Sequence, residues 1–120
     1  MVDNMSMALE NQERMNLFKR FLMVAYGLSE GDVDILLKVI SKGEVDVETL
    51  SEEIKISKSR VSLILKKLSD IGLAERKKQL GGGGGRPKLI YSVDKREIKQ
   101  KLENKSRELC GQISEAVKSL

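Results

Sequence analysis

Five consecutive glycines, Gly81 to Gly85, interrupt the second half of this chain. Glycine loses more backbone freedom on ordering than any other residue, so neither a helix nor a regular strand is expected to run through such a tract. On either side lies a short strand-like run. The first is Leu73 to Lys78. The second is Lys88 to Val93, with Leu89, Tyr91 and Val93 in alternation. Two strand patterns around a glycine-rich tract predict a hairpin whose tip spans about 78–88. The tract is not a nucleotide-binding loop. No Gly-Lys-Ser/Thr follows it, and five residues are too few for the six-residue dinucleotide pattern.

Upstream of the hairpin the apolar residues recur at helical spacing. A first helix is predicted over about Ser6 to Tyr26, carrying Leu17, Phe18, Phe21, Leu22 and Ala25. Ser29, with Asp32 three residues on, has the form of a capping box. It opens a second helix with the stripe Val33, Leu36, Leu37 and Ile40, which Gly43 closes. Asp46 starts a short third helix running through Lys55, with Val47, Leu50 and Ile54 on one side. Ser57 caps a fourth, to Ile71, whose apolar face is Val61, Ile64, Leu65 and Leu68. After the hairpin, Asp94 to Glu97 again resembles a capping box. It opens a last helix to about Lys118, roughly 35 Å long at 1.5 Å per residue. Aromatic residues make up 3% of the chain, so the core is expected to rest on Leu, Ile, Val and Met.

Composition excludes several functions. There is no histidine and a single cysteine, Cys110. The commonest general base and the usual soft-metal ligands are therefore missing, and neither a metal site nor a cofactor is expected. Cys110 lies in the apolar region of the last helix and reads as a packing residue. No basic and apolar leader opens the chain, and the run Leu17 to Tyr26 is broken by Lys19 and Arg20, so a cytoplasmic protein with no membrane span is expected. The net charge is +4. Between Lys55 and Lys88, however, ten basic residues face only Asp70 and Glu75, a local excess of eight. The rest of the chain is net acidic. One basic block in an acidic background is the footprint expected of a polyanion-binding surface.

The stretch VETLSEEIKISKSRVSLILKKLSDIGLAER, Val47 to Arg76, resembles the winged helix-turn-helix regulators of the MarR and TrmB kind found in bacteria and archaea. Gly85-Arg86-Pro87-Lys88, with Tyr91 beyond it, is similar to the wing of the same families. The likeness covers about Leu28 to Val93. It implies a homodimer with one recognition helix per subunit, and no enzymatic activity. One departure stands out: many relatives carry glycine in the turn where this chain has Lys55. A left-handed backbone there costs lysine about 1 kcal/mol relative to glycine.

Taken together, the readings give a mainly α fold with a small β-hairpin wing, an α+β winged helix-turn-helix with long N- and C-terminal dimerisation helices. Residues 1–27 form the first of these helices, 28–94 the DNA-binding domain and 95–120 the last helix. On the fourth helix, Ser59, Arg60, Ser62 and Leu63 are candidates for base edges in the major groove, with Arg60 suited to a guanine fork and Leu63 to a thymine methyl. Ser57, Lys58, Lys66 and Lys67 are candidates for phosphates, which position without specifying. Lys77, Lys78, Arg86 and Lys88 belong to the wing, where an arginine can enter a minor groove.

The two end helices carry more apolar surface than the winged core can cover. Leu102, Leu109 and Ala116 fall seven apart, as do Ser106, Ile113 and Leu120, a coiled-coil-like seam. Phe18, Phe21 and Leu22, with Leu102, Leu109, Ile113, Ala116 and Val117, are therefore the candidates for a homodimer interface. The partners expected are double-stranded DNA and a second copy of the chain. No effector motif is legible. Two other readings compete: a sequence-tolerant architectural or nucleoid DNA binder, favoured by the lysine share of the block, and a winged helix used for protein–protein contact.

Overall fold

The computed structural model describes residues 4–79 and 88–120, with side chains from residue 10 onward in the first helix. The described elements are α1 (Asn4–Tyr26), α2 (Glu30–Lys42), β1 (Glu44–Asp46), α3 (Val47–Ile54), α4 (Lys58–Asp70), β2 (Glu75–Gln79), β3 (Lys88–Ser92) and α5 (Lys95–Lys118). The mainly helical winged fold expected from sequence is present, and the glycine tract lies outside the described residues.

Local chemistry sets most boundaries. The Ser29 hydroxyl accepts from the Asp32 N–H at 3.1 Å, and the Ser29 N–H donates to the Asp32 carboxylate at 3.0 Å. That reciprocal pair is the predicted capping box and fixes the start of α2. Gly43 ends α2 at φ +82°, its N–H donating to the Val39 carbonyl at 2.7 Å. Asp46 caps α3 by accepting from the Thr49 N–H at 2.8 Å. Lys55 takes up the left-handed conformation, φ 57° and ψ 43°, the one non-glycine residue with positive φ among those described. Ser57 caps α4 through the Arg60 N–H at 3.3 Å. Asp94 caps α5 by accepting from the N–H groups of Arg96 and Glu97. Among the described residues Glu97 makes no return bond, so this cap is one-sided rather than a full box.

Two strand details differ from expectation. The predicted first strand begins at Leu73, but β2 begins at Glu75. The N–H groups of Leu73 and Ala74 instead donate back to the Leu68 carbonyl, at 2.9 and 3.3 Å, closing the end of α4. The second difference is β1, a strand of three residues that the sequence pattern did not disclose. It pairs antiparallel with β3, Val45 opposite Tyr91, while β2 pairs with β3 from the other side, Arg76 opposite Tyr91. The sheet order is therefore β1-β3-β2. All five residues of β2 are exposed. Charge along an edge strand of this kind discourages edge-to-edge pairing with another chain.

The core gathers one residue set from nearly every element. Leu22, Leu36, Val39, Leu50, Val61, Leu65, Leu68 and Tyr91 are each essentially inaccessible. At about 1.5–3 kcal/mol per large apolar side chain, these dominate the favourable side of folding. The predicted stripe of α4, Val61, Ile64, Leu65 and Leu68, is buried throughout. Asp32 is buried with them and receives the Lys67 ammonium at 2.6 Å, which ties α2 to α4.

The end helices are only half used. In α1, Phe18, Phe21 and Tyr26 follow one another along the core edge, with ring centroids 6.3 and 6.5 Å apart, the first pair tilted and the second edge-to-face. The first turns of α5 dock through Ile98 and Leu102, and Lys101 donates to the Gly72 carbonyl at 2.6 Å. Lys105 lies 5.7 Å from the centre of the Tyr26 ring. Beyond Leu109 every residue of α5 is exposed. Cys110 falls there and is exposed, so the packing role expected of it is not met within this single chain. The reason is geometric: α5 outruns the core after Leu109, and Cys110 points about 100° away from that last contact.

Candidate nucleic-acid interface

The recognition surface begins with the turn before α4. The Ser51 hydroxyl donates to the Ile56 carbonyl and the Ile56 N–H donates to the Ser51 carbonyl, so the left-handed step at Lys55 is held from both sides. The turn delivers Ser57 as a cap, and the first residues of α4 then face outward. Lys58, Ser59, Arg60 and Leu63 are exposed, with Leu63 at 71%, while Ser62 is half-buried. The Ser57 and Ser59 hydroxyls sit 3.4 Å apart. The Arg60 guanidinium reaches across to the first turn of α2, where a Cβ on Gly31 would stand 3.4 Å from it.

The lysines of this surface fall into two groups. Lys58 lies 3.3 Å from Glu48, Lys66 lies 3.9 Å from Asp70 and Lys77 lies 3.6 Å from Glu44. All three pairs are exposed, where such contacts contribute about 0–1 kcal/mol and exchange readily. Among the described residues, Arg60, Arg76, Lys78 and Lys88 have no carboxylate within ion-pair distance. Lys67 stands apart. Its ammonium is held by the buried Asp32 carboxylate and also donates to the Gly27 carbonyl at 3.4 Å. Burial pushes the Asp32 carboxyl up, but the Lys67 ammonium and the Ser29 N–H and hydroxyl outweigh that and hold it below the usual carboxylate range. Lys67 therefore carries a structural load that its position on the basic face did not announce. The Thr49 N–H likewise holds Asp46 below its ordinary range.

The hairpin stands beside this helix. Lys77, Lys78 and Lys88 are exposed on β2 and the start of β3. Arg86 lies outside the described residues. Between α4 and the start of α2 runs an open groove of about 500 Å³, lined by Ser29, Asp32, Arg60, Leu63, Lys66 and Ile71 among others. No group of three or more Cys, Asp or Glu among the described residues is arranged to hold a metal ion. No described helix is long and apolar enough to cross a membrane.

Of the residues expected at a dimer interface, Leu22 is already buried in its own chain, and Phe18, Phe21, Leu102 and Leu109 are partly buried. Ile113 at 55% and Val117 at 61% are open, as is Ala116. The sequence reading did not single out Val24, which is 72% exposed on α1.

The family model described as "Sugar-specific transcriptional regulator TrmB" matches residues 22–96, more than half of the chain. Among solved structures, a possible transcriptional regulator from Methanosarcina mazei Go1 superposes with a TM-score of 0.71 at 21% identity, over 85% of this chain and 87% of that one. The ST1889 protein of Sulfolobus tokodaii gives 0.71 at 28% identity, over 87% of this chain and 98% of that one. A MepR-like protein solved with pseudoligands gives 0.52 at 21% identity, over 97% and 79% of the two chains. No curated protein matches the sequence. The helix-turn-helix, the three-stranded wing sheet and the family match agree, and the chain belongs to the TrmB family of DNA-binding winged helix-turn-helix transcriptional regulators, which are not enzymes.

Proposed function

We propose that the protein acts as a homodimer that places one α4 per subunit in the major groove of duplex DNA and rests its glycine-tipped hairpin on the flanking backbone or minor groove. The observation that carries this reading is the outward face of α4. Arg60 is free of any carboxylate among the described residues, Leu63 is exposed beside it, and the lysines of the hairpin are exposed as well. Arg60 meets base edges, with Ser59, Ser62 and Leu63 around it. Ser57, Lys58 and Lys66 hold phosphates, as do Lys77, Lys78 and Lys88, and Arg86 extends the wing. Such a protein works where the chromosome is, in the cytoplasm of a prokaryotic cell.

Dimerisation through residues 1–27 and 95–120 is supported by exposed apolar surface. Among the described residues, Leu17, Val24, Ile113, Val117 and Leu120 are all more than half exposed on these two helices and the C-terminal residues beyond α5. A two-fold pairing through these helices covers them and sets two recognition helices about one DNA turn apart, roughly 34 Å, or a multiple of it.

Selection of binding sites from a random duplex library, followed by hydroxyl-radical footprinting, tests this reading. It expects inverted half-sites whose centres are spaced by whole helical turns. Enrichment of no sequence at all, with good non-specific binding, points instead to an architectural binder. Absence of binding leaves the protein-contact module as the surviving reading.

A further inference from the structure

Two lysines that the proposed interface sends toward DNA are each already engaged by a carboxylate on the same surface. Lys58, at the first position of α4, lies 3.3 Å from Glu48 in the first turn of α3, and Lys77 on β2 lies 3.6 Å from Glu44 on β1. Neither acid is required by the core. Glu48 and Glu44 are 61% and 57% exposed in their side chains, and among the described residues the only cation within ion-pair distance of each carboxylate is its lysine. The cap of α3 is made by Asp46, not by Glu48. Both acids stand beside basic groups at the points where the recognition helix and the wing begin, so a phosphate that approaches Lys58 or Lys77 also approaches a fixed negative charge.

We propose that Glu48 and Glu44 are built-in counter-charges that hold down the sequence-independent affinity of this surface for DNA. The inference rests on the DNA-binding reading above and adds residues to it. In the free protein each carboxylate occupies the ammonium that a phosphate needs. On binding, the lysine must exchange one anion for another, so it contributes little to the release of counterions that drives non-specific association. The carboxylate left behind then repels neighbouring phosphates, and like charges set against a partner act as a device for selectivity. Arg60, with no such acid beside it, keeps its full reach toward bases. Base-edge contacts thereby carry a larger share of the total than the ten-residue basic block implies. This separates the surface from that of a sequence-tolerant binder, whose lysines gain nothing from paired acids.

The test is binding of the full-length chain to a random-sequence duplex, by fluorescence anisotropy, between about 50 and 200 mM salt. Wild type is compared with Glu48→Gln, Glu44→Gln and the double variant, with circular dichroism confirming the fold of each. The double variant is expected to bind about 3- to 10-fold tighter at 0.1 M salt, and its log–log slope is expected to steepen by up to about 0.9 for each lysine released. Adding Lys58→Gln to Glu48→Gln should cancel the gain, since the released ammonium is its source. Binding by wild type with unchanged or weaker affinity in the double variant overturns the counter-charge role and leaves the DNA reading standing. Binding by neither protein, even at the lowest salt, overturns the DNA reading itself. Binding by the variant alone supports both.

Discussion

Helices α4 and α5 carry the same kind of apolar stripe and meet different fates. In α4 the residues at helical spacing, Val61, Ile64, Leu65 and Leu68, are all buried against the chain's own core. In α5 the stripe begins in the same way, with Ile98 buried and Leu102 packed, but Ile113, Val117 and Leu120 stand open. Periodicity reports that a face exists and says nothing about what covers it. For α4 the partner is local, so the helix is fixed and its opposite face is free for recognition. For α5 the second half has no partner among the described residues, which is the physical basis for the proposal that a second copy covers it.

That contrast is broken or sharpened by substitutions on each side. Leu65→Ala, at a site with no accessible surface, should cost about 2–5 kcal/mol in chemical denaturation, because the cavity cannot fully relax. Ile113→Ala should cost far less in the separated subunit. An equal loss at both positions would mean that α5 is packed as tightly as α4. Next in size, Ile113→Glu with Val117→Glu places charges one helical turn apart on the open face. Sedimentation equilibrium should show dimer affinity falling at least 100-fold, about 2.7 kcal/mol, while the helical spectrum of the winged core persists. No change in assembly would remove the terminal helices from the dimer.

The ties that hold α4 in place give smaller effects. Lys67→Met leaves the Asp32 carboxylate buried without its ammonium and should destabilise the fold by about 1–3 kcal/mol, a value reduced because the lysine is partly solvated. Asp32 is held below its ordinary pKa in the folded chain. Its stabilising contribution is thus complete above the unfolded carboxylate pKa, about 3.9, and is lost as pH falls through the folded value. Stability measured from pH 6 down to pH 2 should drop in that acid window, and the drop should shrink in Asp32→Asn. Smallest is Lys55→Gly, which relieves the left-handed step and should stabilise by about 1 kcal/mol, or roughly 4 °C in Tm. A loss of stability there would mean that the lysine side chain supports the turn.

The parts of this architecture that were legible in the sequence are those governed by neighbours. The Ser29–Asp32 box, the Ser57 cap and the α4 stripe each involve residues within about ten positions of one another, and each is found where expected. Lys55 was legible as a departure from glycine, and its left-handed backbone is present. What escaped the reading depends on distant partners. Three residues of β1 become a strand only because Tyr91 and its neighbours lie opposite them. Lys67 looked like a free cation until Asp32, thirty-five residues earlier, took it up. Glu53 bridges Lys42 and Lys38 of α2, and those two ammonium groups hold it below its usual range. Cys110 reads as a packing residue because the stripe around it is apolar, but the core ends before it is reached and it is exposed in the single chain.

The central claim, that the open face of α4 is the DNA surface, is tested most directly by a salt series. Anisotropy of wild type and of Lys58→Ala with Arg60→Ala is followed on one duplex as salt rises. Several phosphate contacts predict a steep log–log slope, about −0.9 for each phosphate neutralised, and the double substitution should weaken binding at every salt while leaving most of that slope, which the other phosphate contacts carry. Binding that is steep in salt yet identical in the two proteins would contradict the account, because it would place the DNA on some other face of the molecule.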